Sequence, residues 1–264
     1  MPLEIIEPLP LDAFFRPEHW PRGTGALMTT RTGGVSAAPF DSLNLKAQTS
    51  DPLEQIGVAE NRRRFAATLG AAPVFLDQVH GIRVVRLTAA HTGPDAAVEQ
   101  ADASITTVPG IACTVMVADC LPVLFATRDG RAVGAAHAGW RGLANGVLEA
   151  TVDAIRAAVP VAAADIVAWL GASIGPSKFE VGADVLAAFH DAESRHFAPA
   201  PAVDGVSKWL ADLPALAEGR LRRLGLVDVG GCGLCTVSDA SRFFSYRRDR
   251  VTGRLAAAAW IMNL

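Results

Sequence analysis

The sequence predicts one α/β domain. Apolar runs of strand length alternate with segments carrying helix start and stop signals, and no linker, repeat or low-complexity tract interrupts them. Composition agrees: half of the 264 residues are hydrophobic and 19 % are charged, which is enough apolar surface for a sizeable core.

Residues 1–25 hold prolines 2, 8, 10, 17 and 21 and are expected to form an extended arm, leaving 26–264 as the domain. Leu27-Met28-Thr29-Thr30 is β-prone, and Arg31-Thr32-Gly33-Gly34 forces a turn. A helix is expected from Asp51-Pro52-Leu53-Glu54, with Asp as N-cap, Pro at N1 and Glu closing a capping box, to a stop at Gly70. Strands follow at 74–78 and 82–87, with His80-Gly81 in the turn between them. Runs 111–118, 121–127 and 132–136 are almost continuously apolar, the pattern of strands covered on both faces. A helix is expected over 143–159, closed by Pro160, then a strand at 166–170. Helices over 183–190 and 208–224 and a last strand at 254–262 complete the reading.

Charge excludes some partners. The formal net charge is -3, with 24 basic and 27 acidic residues intermixed, so no basic face for nucleic acid is expected. Met1-Pro2-Leu3-Glu4-Ile5-Ile6-Glu7 carries acids where a signal peptide carries cations. Asp119, Arg128 and Asp129 break the longest apolar stretch, so no membrane helix is expected. Cysteines 113, 120, 232 and 235 suit a reducing compartment better than a disulfide framework, which points to the cytoplasm, with no obligate protein partner evident.

Candidate chemistry lies at the ends of the expected strands. His80 sits in a turn, and Cys120 and His137 each follow a buried run. Imidazole and thiolate together suit a borderline-soft divalent ion, zinc above all, and three protein ligands leave a fourth position for water. Their separations match no local zinc spacing, however, and three unrelated residues would look the same. In His137-Ala138-Gly139-Trp140-Arg141-Gly142 the glycines permit close backbone approach to a ligand, and Arg141 offers a fork of donors to phosphate or carboxylate. An ordinary strand-to-helix turn reads the same way. Asp119 could orient a ligand or cap a turn. Gly171-Ala172-Ser173-Ile174-Gly175 fits a nucleophile elbow, but Pro176 blocks the helix that motif needs. Cys232-Gly233-Leu234-Cys235 is a lone CxxC, better read as packing.

With these residues in place, the chain closely resembles the laccase-domain family, also called YfiH-like or multicopper polyphenol oxidase proteins. The resemblance rests on Thr29-Thr30-Arg31-Thr32-Gly33-Gly34-Val35-Ser36, Ser42-Leu43-Asn44-Leu45, Asn61-Arg62-Arg63-Arg64 and Gln78-Val79-His80-Gly81. It continues through Ala118-Asp119-Cys120-Leu121-Pro122, His137-Ala138-Gly139-Trp140-Arg141-Gly142, Phe243-Phe244-Ser245-Tyr246-Arg247-Arg248-Asp249 and Thr252-Gly253-Arg254, in family order over nearly the whole chain. One departure stands out. Ser177-Lys178 occupies the place where relatives commonly carry a cysteine pair, which removes two soft ligands and argues against a multi-copper cluster.

The resemblance implies a layered α/β sandwich with a mixed central sheet, similar to the cytotoxic necrotizing factor deamidases. It implies zinc on His80, Cys120 and His137, with copper as the alternative metal, and a substrate-site role for Arg31. The activity it implies is phosphorolysis of adenosine, inosine, guanosine and methylthioadenosine, with adenosine deamination, in which Arg31 and Arg141 would hold phosphate. The alternatives are an amidase removing L-serine from UDP-MurNAc-L-Ser, using Cys120 and His137, and a copper-dependent polyphenol oxidase.

Overall fold

The computed structural model describes residues 6–46, 51–93 and 95–263; the first five residues, part of the expected arm, lie outside them. The strands are β1 (Phe14–Phe15), β2 (Thr24–Thr29), β3 (Ala72–Val74), β4 (Val84–Leu87), β5 (Ala103–Thr106), β6 (Ile111–Val117), β7 (Leu121–Thr127), β8 (Val133–Ala138), β9 (Ile166–Leu170), β10 (Glu180–Val181), β11 (Phe197–Val203), β12 (Val206–Ala211), β13 (Asp228–Gly231) and β14 (Leu255–Ile261). The helices are α1 (Pro52–Leu69), α2 (Trp140–Asn145), α3 (Val147–Ala158), α4 (Ala183–Ala187), α5 (Leu213–Arg223) and α6 (Tyr246–Asp249).

The single central sheet expected from the sequence is two mixed sheets stacked face to face. One has the order β1-β2-β14-β6-β3 and the other β13-β9-β7-β8-β5-β4; a small antiparallel sheet, β10-β12-β11, stands apart. Two-residue periodicity builds the layers. In β14, Leu255, Ala257 and Ala259 enter the core between the sheets, while Ala256, Ala258 and Trp260 meet Phe65 and Leu69 of α1. In β7, Leu124 and Ala126 face the other sheet, while Val123 and Phe125 pack under α3 and α5. The result is helix, sheet, sheet, helix. No described helix is long and apolar enough to cross a membrane.

Local signals account for most of the helix ends. Asp51 accepts from Leu53 N–H, and Gly70 closes α1 in the left-handed region. Glu54 is turned inward rather than back to the cap; its Oε1 accepts from Ser36 Oγ at 3.0 Å and Asn44 Nδ2 at 2.6 Å. The helix expected over 143–159 breaks at Gly146, φ 100, into α2 and α3. The one expected over 208–224 is part of a strand followed by α5, which Asp212 caps by accepting from Ala215 N–H.

A buried ion network pins α5 to α2. Arg220 meets Glu193 through two bonds of 2.9 and 3.0 Å, and its Nη1 donates to the Leu143 carbonyl at 2.6 Å. Burial pushes the Glu193 carboxyl up, but Arg220 and Arg223 more than offset this and bring it to about 2. A depressed carboxylate stabilises the fold above its unfolded value and loses that contribution as pH falls through the folded value. Glu193→Gln should therefore destabilise the protein by about 3 kcal/mol at neutral pH, a gap that closes between pH 4.5 and 2. Denaturant titrations of both proteins across that window check this.

Candidate active site

Three segments converge at one end of the sandwich. The β3–β4 and β6–β7 connections both cross from one large sheet to the other, and β8 ends beside them. The first connection carries His80, the second Cys120, and β8 carries His137 one residue before its end. His80 (φ 62) and Asp119 (φ 97) hold left-handed backbone conformations, unusual for residues with a side chain.

Asp102, which is fully buried, holds the first of these turns. Its carboxylate accepts the backbone N–H groups of Val79 at 3.1 Å, His80 at 2.9 Å and Gly81 at 2.6 Å, and pairs with His137 Nδ1 at 2.8 Å. Gln78 ties the same turn to β6, donating to the Met116 carbonyl at 2.8 Å and accepting its N–H at 2.7 Å. Asp119 serves the second turn. It does not orient a ligand; its carboxylate accepts from Thr236, Ser245 and the Arg247 N–H, capping α6.

Cys120 Sγ lies 3.8 Å from His80 Nε2, and the two imidazole rings meet edge-on with centroids 4.8 Å apart. One donor atom from each of His80, Cys120 and His137 lies within 4.8 Å of the others. Tetrahedral zinc, with bonds near 2.0–2.3 Å, sets its ligands roughly 3.3–3.8 Å apart. The Cys120–His80 pair, at 3.8 Å, stands at that spacing, and one thiolate and two imidazoles within 4.8 Å of one another fit such an ion with a small inward shift. His137 commits Nδ1 to Asp102, which leaves Nε2 for a metal. Gly139 keeps the centre compact, since a Cβ there would come within 3.0 Å of both Cys120 Sγ and His80 Cδ2.

Charge at this centre is coupled. Burial pushes the Cys120 thiol up, but His137 and then His80 override it through charge and hydrogen bonds, holding the thiol below its ordinary range. Burial lowers His137, while Cys120 and Asp102 raise it above the usual histidine range. Burial opposes ionisation of Asp102 too, yet the His137 hydrogen bond and the turn amides hold its carboxyl low.

The three residues line a cleft of about 440 Å³, together with Lys46, Gln78, Tyr246 and Arg254. Arg31 and Arg141 are not among its lining residues. Arg31 donates to the carbonyls of Asp41 and Ala240, pairs with the Asp41 carboxylate at 3.3 Å and lies over the Phe244 ring. Arg141 is exposed and stacks on Trp140 at 4.2 Å. Ser173 is buried, and Ser177 and Lys178 sit in an exposed turn. Asp102, which no motif marks, and Lys46, which directly follows Ser42-Leu43-Asn44-Leu45, carry no functional signal in the sequence; Gln78, Tyr246 and Arg254 fall within the family motifs.

The family model described as multi-copper polyphenol oxidoreductase laccase matches residues 25–262. The chain belongs to this family. Among its relatives, a purine nucleoside phosphorylase of Pseudomonas aeruginosa is 47% identical over 96% of this chain and 100% of its own length. The purine nucleoside phosphorylase YfiH of Escherichia coli is 47% identical over 92% of this chain and 96% of its own. Crystal structures of a Neisseria meningitidis protein (41% identity, TM-score 0.84) and of Bacillus licheniformis YfiH (30%, 0.86) each cover 95% of this chain, and 100% and 97% of their own chains.

Proposed function

We propose that this chain is a zinc-dependent purine nucleoside phosphorylase acting on adenosine, inosine, guanosine and methylthioadenosine, with adenosine deamination as a second activity. The observation that carries the reading is the convergence of His80, Cys120 and His137, backed by Asp102, in a cleft of ligand size. The names of the relatives at 47% identity support the same reaction. Zinc, when bound, supplies a Lewis acid and acidified water.

The chain's own residues set the geometry. Asp102 fixes the His137 ring and the His80 turn together, so the donors face the cleft before substrate arrives. Tyr246, half exposed at the cleft wall, offers a ring face to a purine. Phosphate must approach C1′ while positive charge develops on the ribose, a demand met by cationic groups that position it. Arg31 and Arg141 take that part only if they leave Asp41 and Trp140. Free cysteines accord with a cytoplasmic setting.

Incubating the metal-loaded protein with inosine and phosphate should give hypoxanthine and ribose 1-phosphate in equal amounts; no turnover overturns the reading. A second reading, the amidase acting on UDP-MurNAc-L-Ser, draws on one observation. The Cys120–His137–Asp102 chain resembles an activated nucleophile with its base and orienting acid. Assaying that precursor alongside inosine separates the two. The oxidase reading has less support, because a single His/Cys group spaced for an ion occurs among the described residues.

A further inference from the structure

The cleft has a cationic wall beside the three candidate ligands. Lys46 and Arg254 line it, and among the described residues neither forms a salt bridge, although the charges of Cys120 and Asp119 act on Arg254. Arg254 donates through Nη1 to the carbonyls of Thr252 and Gly253, which leaves its Nε and Nη2 uncommitted. Asp77, the acid that shares the cleft, is engaged by the Gln100 amide at 3.3 Å.

One buried side chain brings the backbones of these two residues together. Asn44 is buried, and its Oδ1 accepts both the Lys46 N–H at 3.1 Å and the Arg254 N–H at 2.9 Å. The Leu45 N–H adds a bond of 3.1 Å to the Arg254 carbonyl. Asn44 is itself held, with Nδ2 donating to Glu54 at 2.6 Å and its carbonyl accepting from Asn61 at 2.9 Å. Two cations that line one cleft from positions far apart in the chain repel each other, an arrangement that an anion between them relieves.

We infer that Lys46 and Arg254, joined by Asn44, form the oxyanion subsite of this cleft and hold the attacking phosphate. The inference rests on the phosphorylase reading for the identity of the anion, and on the geometry alone for the site. Burial followed by the Arg254 charge pushes the Lys46 amine down, and a bound anion would push it back up. Arg254 supplies planar paired donors and Lys46 a mobile point charge.

Calorimetric titration of inorganic phosphate into the metal-loaded protein tests the site directly, with Lys46→Met as the main variant. Binding should weaken roughly tenfold or more in Lys46→Met and recover in Lys46→Arg. In the phosphorolysis assay the KM for phosphate should rise by a similar factor, while the KM for inosine moves far less. Arg254→Met should act in the same direction, and the thermal midpoint of each variant reports whether it is folded. Wild-type binding that Lys46→Met leaves unchanged, or no phosphate binding by wild type, overturns the subsite. Phosphate binding lost in Lys46→Met without any phosphorolysis by wild type supports the subsite and sinks the phosphorylase reading instead.

Discussion

Cys120→Ala is expected to lower phosphorolysis by about 10³-fold or more and to strip the protein of most of its metal. Each tenfold in rate corresponds to about 1.36 kcal/mol, and a bound metal ion contributes several kcal/mol of charge stabilisation. The substitution removes the only anionic donor of the three, so two neutral imidazoles would have to hold a divalent ion unaided. Packing is a minor concern. Cys120 is half-buried at a turn, and the cavity left by one sulfur beside Gly139 is small. The fold should therefore survive, with circular dichroism and thermal midpoint close to wild type. Elemental analysis of protein purified without added metal, beside the inosine assay, checks both halves. Equal turnover by Cys120→Ala would falsify the assignment of this cluster as the reactive centre.

How much of this was legible in the sequence depends on the range of the interaction. Helix α1 was legible because Asp51, Pro52 and Gly70 act within a turn of where they stand. The β11–β12 hairpin was not. Its one local signal is Asp204-Gly205, with φ 50 and 74, and its flanks are too exposed to show a buried face. Lys208 to Ala211 were absorbed into a helix for that reason. The resemblance implies one central sheet, and nothing in the sequence divides it, because β3 and β4 look alike there. Only pairing with β6 and β5, respectively, sends them to different sheets.

The same division runs through the site. His80, Cys120 and His137 each stood out beside a turn or strand end, but their meeting depends on two crossings between sheets. The family motifs joined what spacing alone could not. Asp102 was invisible because an isolated acid before an apolar run usually reads as a solvated strand end. Lys46 and Arg254 are 208 positions apart, and their backbones meet through Asn44, whose side chain does for two loops what a ladder bond does for two strands. Arg31 was read from its motif, and the motif also carries structure. A Cβ on Gly34 would come within 2.6 Å of Asn61 Oδ1, and Arg31 itself ties residues 41 and 240 together.

Asp102→Asn should weaken metal binding by about 10–100-fold and cost at least about 2 kcal/mol of stability, although it changes a single atom. The native carboxylate offers acceptors on both sides: Oδ1 serves the His80 N–H and His137 Nδ1, while Oδ2 serves the Val79 and Gly81 N–H groups. An amide keeps one acceptor. If its oxygen stays with His80 and His137, its NH₂ confronts the Val79 and Gly81 N–H donors, both part-buried. If it flips, the donors it confronts are His80 and His137 instead. In either pose two of the four donors lose their partner, and the left-handed turn at His80 loses part of what holds it. The second pose also favours the wrong tautomer, with the His137 proton on Nε2, where the metal needs a lone pair. Raising zinc should restore much of the activity of Asp102→Asn but not that of Cys120→Ala, because the first variant keeps all three ligands and has lost their alignment. Competition with a chelator gives the metal affinity and urea denaturation the stability. An Asp102→Asn protein that matched wild type in both would remove Asp102 from the machinery of the site.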